Sequence, residues 1–269
     1  MNITSTNLES LINDNNKEAY NIIYKVILNE YKNAVKFTNA NNLTEGRKGA
    51  LGTCVIYLNS LVELLHSLQD LIDKGYIESG GSIAIACWER SLTLRKIMIE
   101  PELNSQIHID HQKAKKTPWT IYKMVCDVLE NERIINNIRY KRPYEEENFY
   151  MQYTLLSSIK HGNPYTISHL YRPGYSSNKK LFVLKPNDNI EDQDLKIYIK
   201  TIIIDNALDA LIDYSKEFRT NCNFLYNIRE QFDRLINLVK LQVPPIMLTT
   251  PEEMGNDYWD HLIEIEKKL

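Results

Sequence analysis

The feature that most limits what this chain can fold into is its punctuation. Only 9 glycines and 9 prolines are spread over 269 residues, and long stretches contain neither. Between them, apolar residues recur three and four apart, the period of a helix with one buried face. Ile22, Ile23, Val26, Ile27, Tyr31, Val35 and Phe37 predict a helix over 17–39, and Val55, Leu58, Val62, Leu65 and Leu68 predict one over 47–74, with Gly75 just past its end. Gly80-Gly81-Ser82 reads as a break, with Ser82 capping a third helix over 83–99 that stops before Pro101. Residues 102–117 are polar and carry no clear period. Thr117-Pro118 reads as the start of a helix reaching about residue 131, and Glu145-Glu146-Glu147 opens one that ends at His161-Gly162. Further helices are expected over 191–218 and 223–240.

The period disappears over 163–189. Leu181 to Leu184 reads there as a short strand, pairing with Ile167–Tyr171 across Pro173-Gly174. The fold class expected is therefore mainly α: a single multi-helix bundle over 1–242 with a short irregular or β-hairpin-like insertion near 163–189. An extended tail with a short helix follows over 243–269, after Val243-Pro244-Pro245.

Composition narrows the function classes. A net charge of −3 offers no general attraction for DNA or an anionic membrane, although a local basic patch leaves RNA open. No leader pattern and no apolar run of about 18 residues is present, so a cytoplasmic protein outside the membrane is expected. The four cysteines are scattered, which fits buried thiols in a reducing compartment rather than a metal knuckle. Seventeen tyrosines suit the edges of a helical core, where one end of the side chain is buried and the other is wet.

Several motifs lack the context their chemistry needs. Gly46, Gly49 and Gly52 resemble a phosphate loop but have the wrong spacing and no preceding strand; the expectation is that they allow close helix–helix approach. Glu63-x-x-His66 has no second copy to complete a di-iron site. His108-Ile109-Asp110-His111 gathers metal-type ligands without a local fourth one, and reads as a polar loop followed by Lys113, Lys115 and Lys116. No metal and no cofactor is expected.

One constellation remains. Arg90 shares a helix face with Ala86, Cys87, Leu94 and Ile97, so it is expected to find a partner on another helix, since a lone buried guanidinium is too costly. The helix ending at His161 lines up Tyr150, Tyr153, Thr154, Ser157 and His161 on one side, against Met151, Leu155 and Ile159 on the other. Arg90 and His161 are the candidate catalytic pair. Glu89, Tyr150, Tyr153, Thr154, Ser157, Lys160 and Asn163 are the candidate binding residues or buried polar network.

Glu89-Arg90-Ser91-Leu92, followed by Leu156-Ser157-Ser158-Ile159-Lys160-His161-Gly162-Asn163, resembles a bacterial family of uncharacterised helical proteins catalogued as domain of unknown function 5677. The resemblance spans roughly residues 51–163. That family often has a glutamate soon after its Arg-Ser-Leu, where this chain has Leu94 and Arg95. It is similar in turn to helical ribonuclease-toxin domains of bacterial defence systems, which place an arginine four to six residues before a histidine on one helix. None of the six histidines here has an arginine at that distance. The resemblance implies an interaction or sensor component of a stress or phage-defence system, with a protein partner or self-association. The alternative it implies is a metal-independent endoribonuclease using Arg90 and His161 from different helices.

Overall fold

Helix termini in the computed structural model follow local chemistry. The structure describes residues 16–36, 43–138, 145–160, 174–176, 181–183, 190–219 and 223–238. The described residues form eight helices: α1 (Asn16–Lys36), α2 (Glu45–Asp73), α3 (Ile77–Ile99), α4 (Pro101–Lys113), α5 (Ile121–Ile135), α6 (Glu145–Lys160), α7 (Ile190–Phe218) and α8 (Asn223–Leu238). Two short strands, β1 (Gly174–Ser176) and β2 (Leu181–Val183), pair antiparallel with Tyr175 opposite Phe182. The pairing partner of Leu181–Val183 is thus Gly174–Ser176; Ile167–Tyr171 lies outside the described residues, as does the tail over 243–269.

Thr44 caps α2, its hydroxyl accepting from the Arg47 backbone N–H at 3.2 Å, and Thr120 caps α5 in the same way through Lys123. The cap therefore falls at Thr120, not Thr117. Helix α2 ends in a Schellman arrangement: Gly75 has φ 84°, its N–H donates to Ile72 O, and the Tyr76 N–H donates to Leu71 O.

Two expectations are corrected. Gly80-Gly81-Ser82 does not break the chain, because α3 begins at Ile77 and runs through it. The glycines serve packing: a Cβ on Gly80 would lie 2.5 Å from the Ile72 side chain, and one on Gly81 would collide with Ile159 of α6. The polar stretch after Pro101 is α4, with the proline in its first turn and Asn104 and Ser105 buried.

The protein is a mainly α bundle built around α3, which packs against α2, α4, α5, α6 and α7. Every residue from Ser91 to Met98 is buried, as a helix enclosed on all sides requires. By length and composition alone, α2 is the one helix among the described residues apolar enough to cross a membrane, with mean hydropathy 1.3. In the bundle its Leu58, Leu61, Leu65 and Leu68 stripe is buried, with α1 and α3 packed against the helix. Two buried tyrosines of α1 tie it to its neighbours: Tyr24 donates to Leu65 O at 2.6 Å and Tyr31 to Ala207 O at 2.7 Å. Cys54, Cys87 and Cys126 lie in helices and form no disulfide among the described residues, and burial pushes Cys54 up to about 12.

The arginine locked inside the bundle is Arg95, five residues beyond Arg90 and on a different side of α3. Its guanidinium meets Glu132 of α5, Asp209 of α7 at 3.6 Å and Asp213 of α7 at 3.4 Å. Asp205, Asp209 and Asp213 form a ladder at four-residue spacing along α7. Arg229 of α8 closes its other side, 2.8 Å from both Asp205 and Asp209.

Candidate functional site

On the outward side of α2, Gly49, Gly52, Ile56 and Ser60 recur at helical spacing, with Thr53 and Tyr57 beside them. Opposite stand His108, Ile109 and Gln112 of α4, and α3 contributes Arg90. Together these residues line a cleft of about 480 Å³. Of the three α2 glycines, Gly46 fits the expected close approach, since a Cβ there would lie 2.5 Å from the Glu102 side chain of α4, whereas a Cβ on Gly49 or Gly52 would meet nothing within 4 Å. These last two leave the cleft floor free of side chains, and they lie inside a helix, where no phosphate loop can form.

A second compartment of about 640 Å³ adjoins the first and shares Tyr57 and His108 with it. Its other walls include Glu89 and Thr93 of α3, the segment Thr117–Ile121 with Trp119, and Lys123 and Met124 of α5. The Tyr57 hydroxyl and His108 Nε2 lie 2.6 Å apart, with the rings edge to face at 5.4 Å. His108 stands 6.3 Å from the Trp119 ring, and the Lys96 ammonium lies 5.6 Å over that ring while pairing with Asp127 at 3.0 Å. Beneath, Thr53 Oγ1 and Ser105 Oγ share a buried hydrogen bond of 2.9 Å, which fixes α4 against α2.

The electrostatics separate the groups by role. Burial lowers the His108 pKa, with His111 adding to the effect, so the imidazole is neutral at neutral pH, and among the described residues its Nδ1 has no hydrogen-bond partner. Burial raises the Tyr57 phenol to about 12 against an opposing pull from Arg90, so it is the hydrogen-bond donor to His108. Arg90 itself is half-buried and, among the described residues, makes no hydrogen bond or ion pair. Its neighbour Glu89 has a raised pKa, because burial outweighs the stabilising charges of Lys160 and Arg90.

The residues singled out in the sequence are thus divided. Glu89 and Arg90 line the two adjoining compartments, and the charge of Lys160 acts on Glu89. Tyr150, Tyr153 and Thr154 belong elsewhere: Tyr150 and Tyr153 stack at 5.5 Å, Tyr122 meets Tyr150 edge-on at 5.7 Å, and the Thr154 hydroxyl donates back to Tyr150 O. This aromatic cluster packs on Trp88, 5.6 Å from Tyr153, and not on Arg90. Ser157 is half-buried, while His161 and Asn163 lie outside the described residues. The Tyr57–His108 pair escapes sequence reasoning. Ser105 and His108 stand three apart on one helical face, a signal visible only once 101–113 is recognised as a helix. No group of three or more His, Cys, Asp or Glu suited to a metal occurs among the described residues. Comparison with family models, curated proteins and solved structures returns no match.

Glu89 yields a test of the electrostatics. Its raised pKa means that the folded protein holds the proton more tightly than the unfolded chain. Its contribution to stability is therefore full below the ordinary carboxylate range and is lost as pH rises through the folded value. Melting temperatures of wild type and Glu89→Gln, followed from about pH 4 to about pH 8, should separate with rising pH, the variant becoming relatively more stable. Parallel curves would contradict the burial of Glu89 as a charge.

Proposed function

We propose that the protein is a ligand-binding helical module of the sensor type, which holds a small organic anion on Arg90 in the cleft between α2 and α4. The observation behind this reading is the half-buried Arg90 guanidinium, which lines an open, glycine-floored cleft without a carboxylate bonded to it among the described residues. A guanidinium in that state has unmet donors that a phosphate or carboxylate satisfies in a bidentate manner. Thr53, Ser60 and Gln112 supply neutral polar contacts, and Ile56 and Ile109 the apolar ones. A sensor of this type passes its occupancy to a protein partner or a second copy, which sedimentation with and without ligand would detect.

Calorimetric titration with inorganic phosphate, AMP and citrate tests the reading. Arg90→Met should weaken binding at least about tenfold, near 1.4 kcal/mol, with the melting temperature little changed. Gly52→Leu should abolish binding by filling the cleft while raising stability by about 0.5–1 kcal/mol, since glycine is a poor helix former. Unchanged affinity in both variants would dismiss the cleft as the binding site.

A second reading, metal-independent RNA cleavage, is favoured by the shared lining of one cleft by Arg90 and His108. In it, arginine holds the phosphate, and the Tyr57 hydroxyl takes the proton of the attacking 2′-hydroxyl as it passes its own to the neutral imidazole at His108 Nε2. His108 then takes the part that the sequence motif assigns to His161. Incubation of a fluorescent RNA oligonucleotide with the protein in chelator decides it. Cleavage lost in His108→Ala and retained in His161→Ala supports this arrangement, and cleavage lost only in His161→Ala restores the sequence-based pair.

A further inference from the structure

The two compartments differ in charge, and neighbouring residues of one helix make the difference. Side chains at consecutive positions of a helix point about 100° apart, so Glu89 lines the compartment walled by Trp119 while Arg90 lines the one floored by Gly49 and Gly52. The Tyr57–His108 pair stands at the junction and borders both. A single molecule lying across that pair meets a guanidinium at one end and a carboxylate at the other. Three aromatic rings, Tyr57, His108 and Trp119, border the carboxylate compartment, which suits a flat partner. Among the described residues Glu89 makes no side-chain hydrogen bond, so both of its oxygens can accept from a ligand.

Resting on the reading of Arg90 as the anion receptor, we infer that the ligand is a nucleotide whose base carries an exocyclic amino group. Its phosphate sits on Arg90, and its base lies in the Trp119 compartment with the amino group donating to Glu89. Glutamate accepting from an exocyclic amine is an established mode of base recognition, and an oxo group at the same position presents an acceptor to an acceptor. Thr93, whose hydroxyl donates to Glu89 O at 2.8 Å, keeps lone pairs for a second base edge contact. Each compartment falls within the usual range for small-molecule sites, about 300–1,000 Å³.

The test is equilibrium binding to the 269-residue chain of AMP against IMP, CMP against UMP, inorganic phosphate alone, and a short single-stranded RNA. In at least one pair the amino-bearing nucleotide should bind about tenfold tighter than its oxo counterpart. Glu89→Gln should reduce that preference to about threefold or less without weakening phosphate, whereas Arg90→Met should weaken all ligands, phosphate included. Equal affinity within both pairs, or a preference untouched by Glu89→Gln, overturns the nucleotide assignment while Arg90-dependent phosphate binding upholds the anion reading. Absence of phosphate and nucleotide binding overturns both. Tighter binding of the RNA with the same two dependences assigns the nucleotide as part of a chain; equal or weaker RNA binding assigns the free nucleotide.

Discussion

Arg95→Ala is expected to lower the unfolding free energy by about 3–5 kcal/mol, measured by urea denaturation followed by circular dichroism. The side chain is 1% exposed, and three carboxylates from two helices converge on it. Removing it strands Glu132, Asp209 and Asp213 against one another in a poorly solvated site, where burial already raises the pKa of Glu132. Arg229 remains on the far side of the ladder and offsets part of the repulsion at Asp209. The size of the effect matters because a domain has only about 5–15 kcal/mol in total. A loss under about 1 kcal/mol would mean that the network behaves as a surface ion pair. The linkage sign adds a second check. Folded Glu132 and Asp205 both have raised pKa values, so their contribution is present at acid pH and is lost as pH rises through those values. The deficit of the variant should accordingly shrink as the carboxylates take up protons.

Trp88→Ala should cost a similar amount, about 3–5 kcal/mol. Trp88 is fully buried on α3, in ring contact with Phe149 and Tyr153 of α6 at 5.6 Å each. Its Nε1 donates to Gln152 Oε1 at 3.0 Å, and Asn206 of α7 donates to the same oxygen at 3.0 Å. One residue thus joins three helices through both packing and a shared acceptor. Trp88→Phe separates the two contributions: it keeps most of the ring volume and loses the hydrogen bond, for about 1 kcal/mol beyond the packing change. If the alanine variant lost no more than the phenylalanine variant, the ring contacts would be immaterial to the core. Neither substitution touches the cleft lining, so ligand binding by whatever fraction stays folded should be unaltered, in contrast to Arg90→Met.

The contrast between Arg90 and Arg95 shows where sequence reading stops. The rule that a buried guanidinium needs partners from other helices is sound, but periodicity points it at the wrong arginine. Face assignment by periodicity presumes a helix with an inside and an outside, and α3 has no outside from Ser91 to Met98. Arg95 therefore gives no periodic signal, and its partners Glu132, Asp209 and Asp213 lie far along the chain. Gly80 and Gly81 mislead for a related reason. Their local preference is to interrupt a helix, yet the approach of Ile72 and Ile159 leaves room for nothing larger. Gly49 and Gly52 go the opposite way, from expected packing to an open cleft, because α4 meets α2 at Gly46 and Thr53 and leaves the space over these two glycines open.

What the amino-acid order determined alone is the helical class, most helix spans, the Gly75 stop and the end of α3 before Pro101. Periodicity, capping and backbone restriction act within a few residues, so they are legible without the fold. Tertiary structure decided which arginine is locked and which faces a cleft, and it brought His108 to Tyr57 across 51 positions. It also set Glu89 and Arg90 in separate, adjoining compartments. Burial and ion pairing depend on which helices meet, and that is a property of the whole bundle.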